Sequence, residues 1–345
     1  MAGMRPPAGW MALHFIDVGQ GDAALLEFPC GTALVDAGGE DSDNARFAAY
    51  LDAFFDARPE RQRFVDVVVL SHSHDDHNRG VEYLRADPKF DVGAVVDSGK
   101  DLDGGADRQR LFRAWVKRHG GTARSVKTES IEFTDGVTDD TIDPIEGCDA
   151  NDEDPTFRVV SGGWSFDTGG FKKANDHSVV LRVDWGESSF LFTGDLEDEH
   201  GKGGIPEMLY YYGEDLAIFD VDVWKVGHHA SPNGISEDLL RAMTPRIALI
   251  GVGDDESSKA KGYGHPRDLA LALLTDDTLG VTCRRQHAVV HEYSEAHGEP
   301  HPRELDHAIF GTGWDGNIVL LAHPDGRMAV HVDGAAEDQL EDCGE

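Results

Sequence analysis

Residues 64–77 read FVDVVVLSHSHDDH. The run 65–70 is apolar on both faces except at Asp66, the pattern of a strand buried inside a sheet. Directly after it, His72, His74, Asp76 and His77 put four candidate metal ligands within six residues. A loop at a sheet edge turns several such side chains toward one point. Imidazole nitrogen and carboxylate oxygen together suit zinc, manganese or iron. A single histidine is more often a satisfied structural residue, but three with an acid would be costly to bury together unpaired. The spacing therefore points to metal.

Upstream, residues 11–18, 23–28 and 32–39 read as three strands of a meander. Residues 44–56 fit a helix whose Phe47, Leu51 and Phe54/Phe55 form an apolar stripe. Downstream, the pattern predicts a short helix from 80, a strand at 94–96, and a helix over 107–118 with Leu111, Trp115 and Val116 toward the core. Residues 122–174 are acidic and Gly-rich, with strand-like pieces at 131–133 and 157–160. They are expected to elaborate one side of the fold. A hairpin is expected at 178–184 and 189–193, and a strand over 216–226 that leads into GHHAS. A helix over 236–243 has Ser236 as its N-cap, and 246–252 reads as a strand. A further helix is expected over 265–273, and a hairpin turning at 324–326. Strands in meanders with intervening helices predict an α/β fold of two sheets with helices outside, not a doubly wound sheet.

Composition narrows the function. The 345 residues carry 31 Lys plus Arg against 65 Asp plus Glu, a formal charge of -34. That excludes a generally basic nucleic-acid-coating surface, although bound metals reverse the sign of a local site. Acid clusters at 139–143, 149–154 and 337–345 read as solvated surface. Cys30, Cys148, Cys283 and Cys343 are far apart with no CxxC pair, so neither a disulfide framework nor a Cys-rich zinc site is expected. The N-terminus lacks the long apolar run of a secretion signal, and no 18-residue apolar segment occurs. The expectation is a cytoplasmic protein that does not associate with a membrane. Seven histidines between 287 and 331 show no compact ligand spacing, and 297–305 reads as a polar loop.

HSHDDH resembles the HxHxDH signature of the metallo-beta-lactamase superfamily, with His72, His74, Asp76 and His77 on its ligand positions and Asp75 on the variable one. Five blocks in order resemble more closely the hydrolase domain of ComEC/Rec2 competence proteins. They are FIDVGQGDAALLEFPCGTALVDAG (15–38), VVLSHSHDDHNRG (68–80), NDHSVVLRVDWGESSFLFTGD (175–195), VWKVGHHAS (223–231) and YGHP (263–266). The resemblance covers roughly residues 11–275 with a diverged middle, and the membrane channel of those proteins has no counterpart. It implies an αββα sandwich of two mixed sheets with outer helices. It also implies one such domain over 11–335, with an elaboration at 122–174, a C-terminal sheet extension at 287–335 and an acidic tail at 336–345.

The resemblance further implies two divalent metal ions, Zn2+ first and Mn2+ as the alternative. His72, His74 and His177 would hold one, and Asp76, His77 and His228 the other. Asp195 would bridge them with a water or hydroxide. His177 lies where ComEC-like proteins are often asparagine-rich, leaving a ligand role and a supporting role both open. His228 is preferred to His229 because successive residues of an extended segment face opposite ways and His228 is nearer the strand end. Asp17 or Asp36 would steady a ligand's second nitrogen or serve only its own turn. Asp22 lies in the same Gly-rich loop as Asp17. Lys225 would form a salt bridge or meet a phosphate, and His265 would bind phosphate or donate a proton. Ala230 replaces a usual glycine before Ser231.

The expected activity is metal-assisted hydrolysis of a phosphodiester, in DNA, RNA or a small nucleotide, with Asp76, His265 and Lys225 as catalytic candidates. The alternatives are a lactone, thioester or other small-molecule hydrolase and, from another class, a metal-binding interaction module. The charge balance weakens the DNA reading and favours a compact anion.

Overall fold

The computed structural model describes residues 1–39, 44–86, 90–148, 154–165, 171–254, 263–294, 297–335 and 337–343. The acidic positions 149–153 and 344–345 lie outside the described residues.

The strands are β1 (Met11–Phe15), β2 (Ala23–Glu27), β3 (Thr32–Ala37), β4 (Phe64–Val69), β5 (Asp91–Asp97) and β6 (Thr122–Ser125). Then come β7 (Thr156–Ser161), β8 (Val180–Trp185), β9 (Ser188–Phe192), β10 (Val223–Lys225) and β11 (Ile247–Ile250). Last are β12 (Arg284–Ser294), β13 (His297–His307), β14 (Ile309–Gly311), β15 (Ile318–Ala322), β16 (Met328–Val332) and β17 (Leu340–Asp342). An eight-stranded sheet has the order β16-β15-β1-β2-β3-β4-β5-β6, and a six-stranded sheet the order β14-β11-β10-β9-β8-β7. Both are mixed. β3 to β6 are mutually parallel, as are β9, β10, β11 and β14, while the remaining pairs run antiparallel.

β4 shows why its sequence is apolar throughout. Val67 and Val69 enter the cluster between the two sheets, with Leu13, Phe157, Trp185 and Trp224. Val65, Val68 and Leu70 face the opposite cluster, with the helices α1 (Ala45–Asp56), α3 (Val81–Ala86) and α4 (Ala106–Arg118). Alternation over Val67–Leu70 thus buries both faces, with Val65 at the start of the strand packed on the helix side. Asp66 is tolerated because its Oδ2 accepts Thr32 N–H at 2.8 Å. α1 has no side-chain cap, yet it buries Phe47, Tyr50, Leu51, Phe54 and Phe55. Each such side chain contributes roughly 1.5–3 kcal/mol against about 1 kcal/mol for a cap, so packing decides this helix. Between α1 and α3 lies the single turn α2 (Asp75–Asn78), which carries the end of HSHDDH. On the second sheet α5 (Gly204–Tyr212), α6 (Glu237–Met243) and α7 (Asp268–Leu274) supply Met208, Leu239, Leu240 and Leu271 to the core. Ser236 caps α6 by accepting Leu239 N–H at 3.2 Å. The αββα sandwich of two mixed sheets is the observed architecture.

Several local expectations are corrected. Residues 131–133 form no strand; a 3-10 turn at Thr128–Ser130 precedes them, and Ile131, Ile142 and Ile145 plug the inter-sheet core instead. Residues 216–226 divide into a 3-10 turn at Ala217–Phe219 and the short β10. The helix expected from His265 starts at Asp268. The polar 297–305 is strand, because β13 pairs antiparallel along β12, and β17 completes a three-stranded sheet of order β13-β12-β17. The expected acidic tail therefore contains a paired strand. Disulfides join Cys30 to Cys148 and Cys283 to Cys343, against the expectation of no disulfide framework. Sequence separations of 118 and 60 hid pairs that the fold brings to Cα distances of 4.7 and 4.0 Å.

Candidate metal centre

The ligand candidates gather where parallel strands end. HSHDDH follows β4, Asp36 lies at the end of β3, Asp195 follows β9, and His228 and His229 follow β10. Carboxyl ends of parallel strands are where open α/β sheets leave a crevice. The approach is close. A Cβ on Gly38 would stand 1.5 Å from the Asp76 carbonyl oxygen, so only glycine lets this turn back HSHDDH. The DVGQGD loop is laced to the same turn, with Asp22 N–H donating to Asp76 O at 3.0 Å.

Two groups of side chains share one carboxylate. His72, His74 and Asp195 form one group; Asp22, His77, Asp195 and His229 form the other. His72 Nε2 lies 3.0 Å from His74 Nδ1, and His77 Nε2 lies 3.3 Å from His229 Nε2. Asp195 Oδ1 is 3.1 Å from His77 Nε2, and its Oδ2 is 3.9 Å from His72 Nε2 and 3.6 Å from His229 Nε2. Asp76 Oδ2 lies 3.4 Å from His229 Nε2.

These residues fit a pair of metal ions. Two imidazole nitrogens on one tetrahedral zinc stand roughly 3.3 Å apart, close to both observed N···N separations. Asp195 Oδ1 is buried without a hydrogen-bond partner despite its nearness to His77. The opposite ring nitrogens are held so that lone pairs face inward. His77 Nδ1 donates to Asp36 Oδ2 at 2.7 Å and His229 Nδ1 to Gly251 O at 2.6 Å. His74 Nε2 pairs with Asp103 Oδ2 at 3.2 Å, leaving its Nδ1 toward His72. Burial disfavours the His77 cation, yet Asp195 and Asp36 outweigh it and raise its pKa well above the ordinary value. Burial also opposes ionisation of Asp195, and His77 and His229 nevertheless hold its carboxyl well below the usual range. The negative field that holds a second proton on His77 is the field a divalent cation would take over on displacing that proton.

His177 does not reach the cluster. Its Nδ1 accepts Trp164 N–H at 3.0 Å and its Nε2 donates to Phe171 O at 3.1 Å, so the expected ligand role is corrected. A 3-10 turn at Asn175–His177, in place of extended chain, aims residue 175 at the site. His228 is corrected in favour of His229. The segment is not extended: His228, His229 and Ala230 all have positive φ, 48°, 53° and 60°, a curl of the kind strained functional loops hold. His229 meets His77, while His228 sits at the rim with Nδ1 on Asn233 Oδ1 at 3.0 Å and Nε2 3.8 Å from Asp195 Oδ2.

Lys225 is corrected as a catalytic candidate. Its ammonium is buried, paired with Asp22, donates to Gly194 O at 3.1 Å and lies 3.7 Å from Asp195 Oδ1. Burial opposes that charge, but Asp22 and Asp195 raise its pKa above the ordinary value. Asp17 only closes its turn and pairs with Arg46. Asp36 takes the steadying role, accepting Ser71 N–H, Ser71 Oγ–H and His77 Nδ1–H at 2.7 Å each. Asp22 and the Ser71–Asp36 pair were not singled out by spacing; DVGQGD and VDAG were their only signal. Asp75 turns away to Arg79 and Arg108.

The cluster opens into a cavity of 320 Å³ lined by residues including Gln20, Asp76, Asn175, His228, Tyr263 and His265. No Lys or Arg lines it among the described residues. Burial, with His229 and His228 adding to it, pushes the His265 pKa down to about 3, which makes its imidazole neutral at pH 7. Its Nδ1 is buried without a hydrogen-bond partner. The Tyr263 ring is 57% exposed at the cavity mouth and lies within 3° of the His265 plane.

A family model described as the Metallo-beta-lactamase superfamily matches residues 16–253. ComE operon protein 3 of Bacillus subtilis is 26% identical over 295 residues, covering 81% of this chain and 32% of that protein. Recombination protein 2 of Haemophilus influenzae is 37% identical over 79 residues, 23% of this chain and 9% of that protein. The chain thus spans about a third or less of the length of these curated relatives. A solved metallo-beta-lactamase fold protein, YhfI of Bacillus subtilis, aligns with 63% of this chain and 70% of its own, at 16% identity and a TM-score of 0.35.

Proposed function

Because the chain belongs to the metallo-beta-lactamase superfamily of metal-dependent hydrolases, we propose that it cleaves compact phosphodiesters, a small nucleotide or the end of a DNA or RNA strand. The carrying observation is the pair of ligand groups joined through Asp195. His72 and His74 would hold one divalent ion and Asp76, His77 and His229 the other, with Zn2+ the first candidate and Mn2+ the second. When bound, such ions supply Lewis acidity toward phosphoryl oxygen and make water a nucleophile at neutral pH.

The chain's own groups do the rest. Asp36 and Gly251 O fix which nitrogens of His77 and His229 face inward. His265, neutral at pH 7, donates at most one N–H to an anionic oxygen and is not a charged phosphate clamp. Tyr263 gives a planar base a ring to stack on at the cavity mouth. The small cavity and the charge of -34 favour a short substrate over a long duplex track. That the described residues of the wall include no Lys or Arg favours, as a second reading, a neutral lactone or thioester.

The two disulfides weigh against the expected cytoplasmic site of action, because the cytoplasm keeps thiols reduced. Alkylating free thiols before lysis measures that directly. No helix among the described residues is long and apolar enough to cross a membrane.

The deciding experiment strips the protein of metal and restores zinc or manganese in parallel. Each form is assayed on bis-p-nitrophenyl phosphate, dinucleotides, single- and double-stranded DNA, RNA and a lactone panel, with Asp76→Ala/His77→Ala as control. Metal-dependent diester cleavage lost in the control is expected. Carbonyl hydrolysis without diester cleavage, by protein verified to hold two ions, would overturn the proposal in favour of the second reading.

A further inference from the structure

With His177 turned away, the His72–His74 group has only Asp195 beside its two imidazoles. Asn175 is the candidate for a further donor. It is 5% exposed and lines the cavity with His74 and Asp195. Its amide orientation is fixed by a partner that only accepts: Nδ2 donates to Glu197 Oε1 at 2.7 Å, while Glu197 Oε2 pairs with Lys173 Nζ at 3.0 Å. The carbonyl oxygen Oδ1 is consequently turned from Glu197, and it is buried with no hydrogen-bond partner. Native structures rarely leave such an acceptor without a ligand or an ordered water to complete it.

The segment is stitched to the histidine loop. Asp103 Oδ2 meets His74 Nε2 at 3.2 Å and accepts Ala174 N–H at 3.3 Å, so one oxygen ties the residue before Asn175 to a ligand candidate. Val179 N–H donates to Ser71 O at 2.8 Å, and Ser178 Oγ accepts Asp195 N–H at 3.2 Å. Asn175 is thereby held against the half of the site that lacks a third neutral donor.

We infer that Asn175, through its side-chain carbonyl oxygen, is the third protein ligand on the His72–His74 side. The inference rests on the metal reading alone and is independent of which substrate is cleaved. It carries a chemical consequence. A carbonyl oxygen is a harder donor than imidazole, so this half should discriminate less in favour of zinc over manganese than a three-imidazole site would.

The test is a two-site metal titration of the full chain, read by calorimetry with zinc and by the free-ion electron paramagnetic resonance signal with manganese. Asn175→Ala should weaken one binding step by at least 10–100-fold for each ion and leave the other within threefold. The weakened step should be the one removed by His74→Ala. Asn175→Asp, which keeps size and adds charge, should bind more tightly than wild type at that step. His177→Ala should leave both steps unchanged. Folding of each variant is verified by circular dichroism. Should Asn175→Ala not fold, Asn175→Asp carries the test, because a ligand role predicts tighter binding at that step at pH 7. Unchanged binding of both ions in a folded Asn175→Ala or Asn175→Asp protein would overturn the inference, as would weakening confined to the other step. Because the readout is binding, it stands or falls separately from the hydrolysis assay.

Discussion

Replacing Asp36 with asparagine tests whether the groups behind the ligands set the metal site. Asp36 Oδ1 accepts Ser71 N–H, and Oδ2 accepts both Ser71 Oγ–H and His77 Nδ1–H. In Asp36→Asn, Oδ1 keeps the backbone donor and Nδ2 replaces Oδ2. A donor then faces His77 Nδ1, and the ring relieves the conflict by moving its proton to Nε2. That nitrogen is the one turned to Asp195 and His229, and once protonated it cannot bind a cation. The lost bond is buried and 2.7 Å long. Hydrogen bonds to charged groups are worth about 1.5–3 kcal/mol, or about 10–150-fold in affinity. Zinc affinity at the His77–His229 half should fall about 10–100-fold, in line with losses of groups behind metal ligands. Competition against a chromophoric chelator measures it, with the His72–His74 half as internal reference. Equal affinity within threefold in a folded Asp36→Asn protein would refute the reasoning.

Three further outcomes follow from other features. Changing Cys30 and Cys148 to serine opens a 118-residue loop, and loop-closure entropy puts the loss at up to about 5 kcal/mol; an unchanged thermal midpoint would contradict it. Lys225→Met leaves Asp22 and Asp195 as buried acids without their cation, so the metal-free protein should lose about 3–5 kcal/mol in urea unfolding. Metal loading should restore part of that, and loss of equal size in both forms would count against the assignment. Burial, with Asp154 and Glu146 nearby, raises the Asp143 pKa to about 6. The folded chain then holds a proton that the unfolded chain has released, so stability falls as pH rises from about 4 to about 6. Asp143→Asn should therefore raise the thermal midpoint at pH 8 relative to its effect at pH 4, and equal shifts at both pH values would refute it.

The sequence exposed what is local. HSHDDH is dense enough that its chemistry shows before any fold does, and the apolar β4 ahead of it betrays a strand buried on both sides. Asp195 and the GHH block were legible through their resemblance to known motifs. What escaped depends on tertiary contacts. The choice between His228 and His229 rested on an extended chain, whereas three successive positive φ angles curl it. The resemblance offered His177 as a ligand or a supporting residue, but Trp164 and Phe171 occupy both its nitrogens. Lys225 stayed open between a salt bridge and a phosphate contact because its partner Asp22 lies some two hundred residues away in sequence. β13, with its prolines and histidines, lacks strand-like periodicity and exists because β12 offers it an edge.

β1 lies between β2 and β15, with Met11 opposite Ala322, and Asp17 N–H meets Asn317 Oδ1 across 300 residues. A ribosome adding 5–20 residues per second delivers the second partner roughly 15–60 s after the first. Throughout that interval the nascent chain carries β1 with one bare, apolar edge, a template for joining other chains. The HSHDDH loop has by then emerged, on a sheet still missing its last two strands. The surplus of acid over base, most of it in residues made before β15, gives this unfinished chain mutual repulsion while it waits. The acidity that seems ill matched to an anionic substrate is thus well matched to the order in which the polypeptide is made.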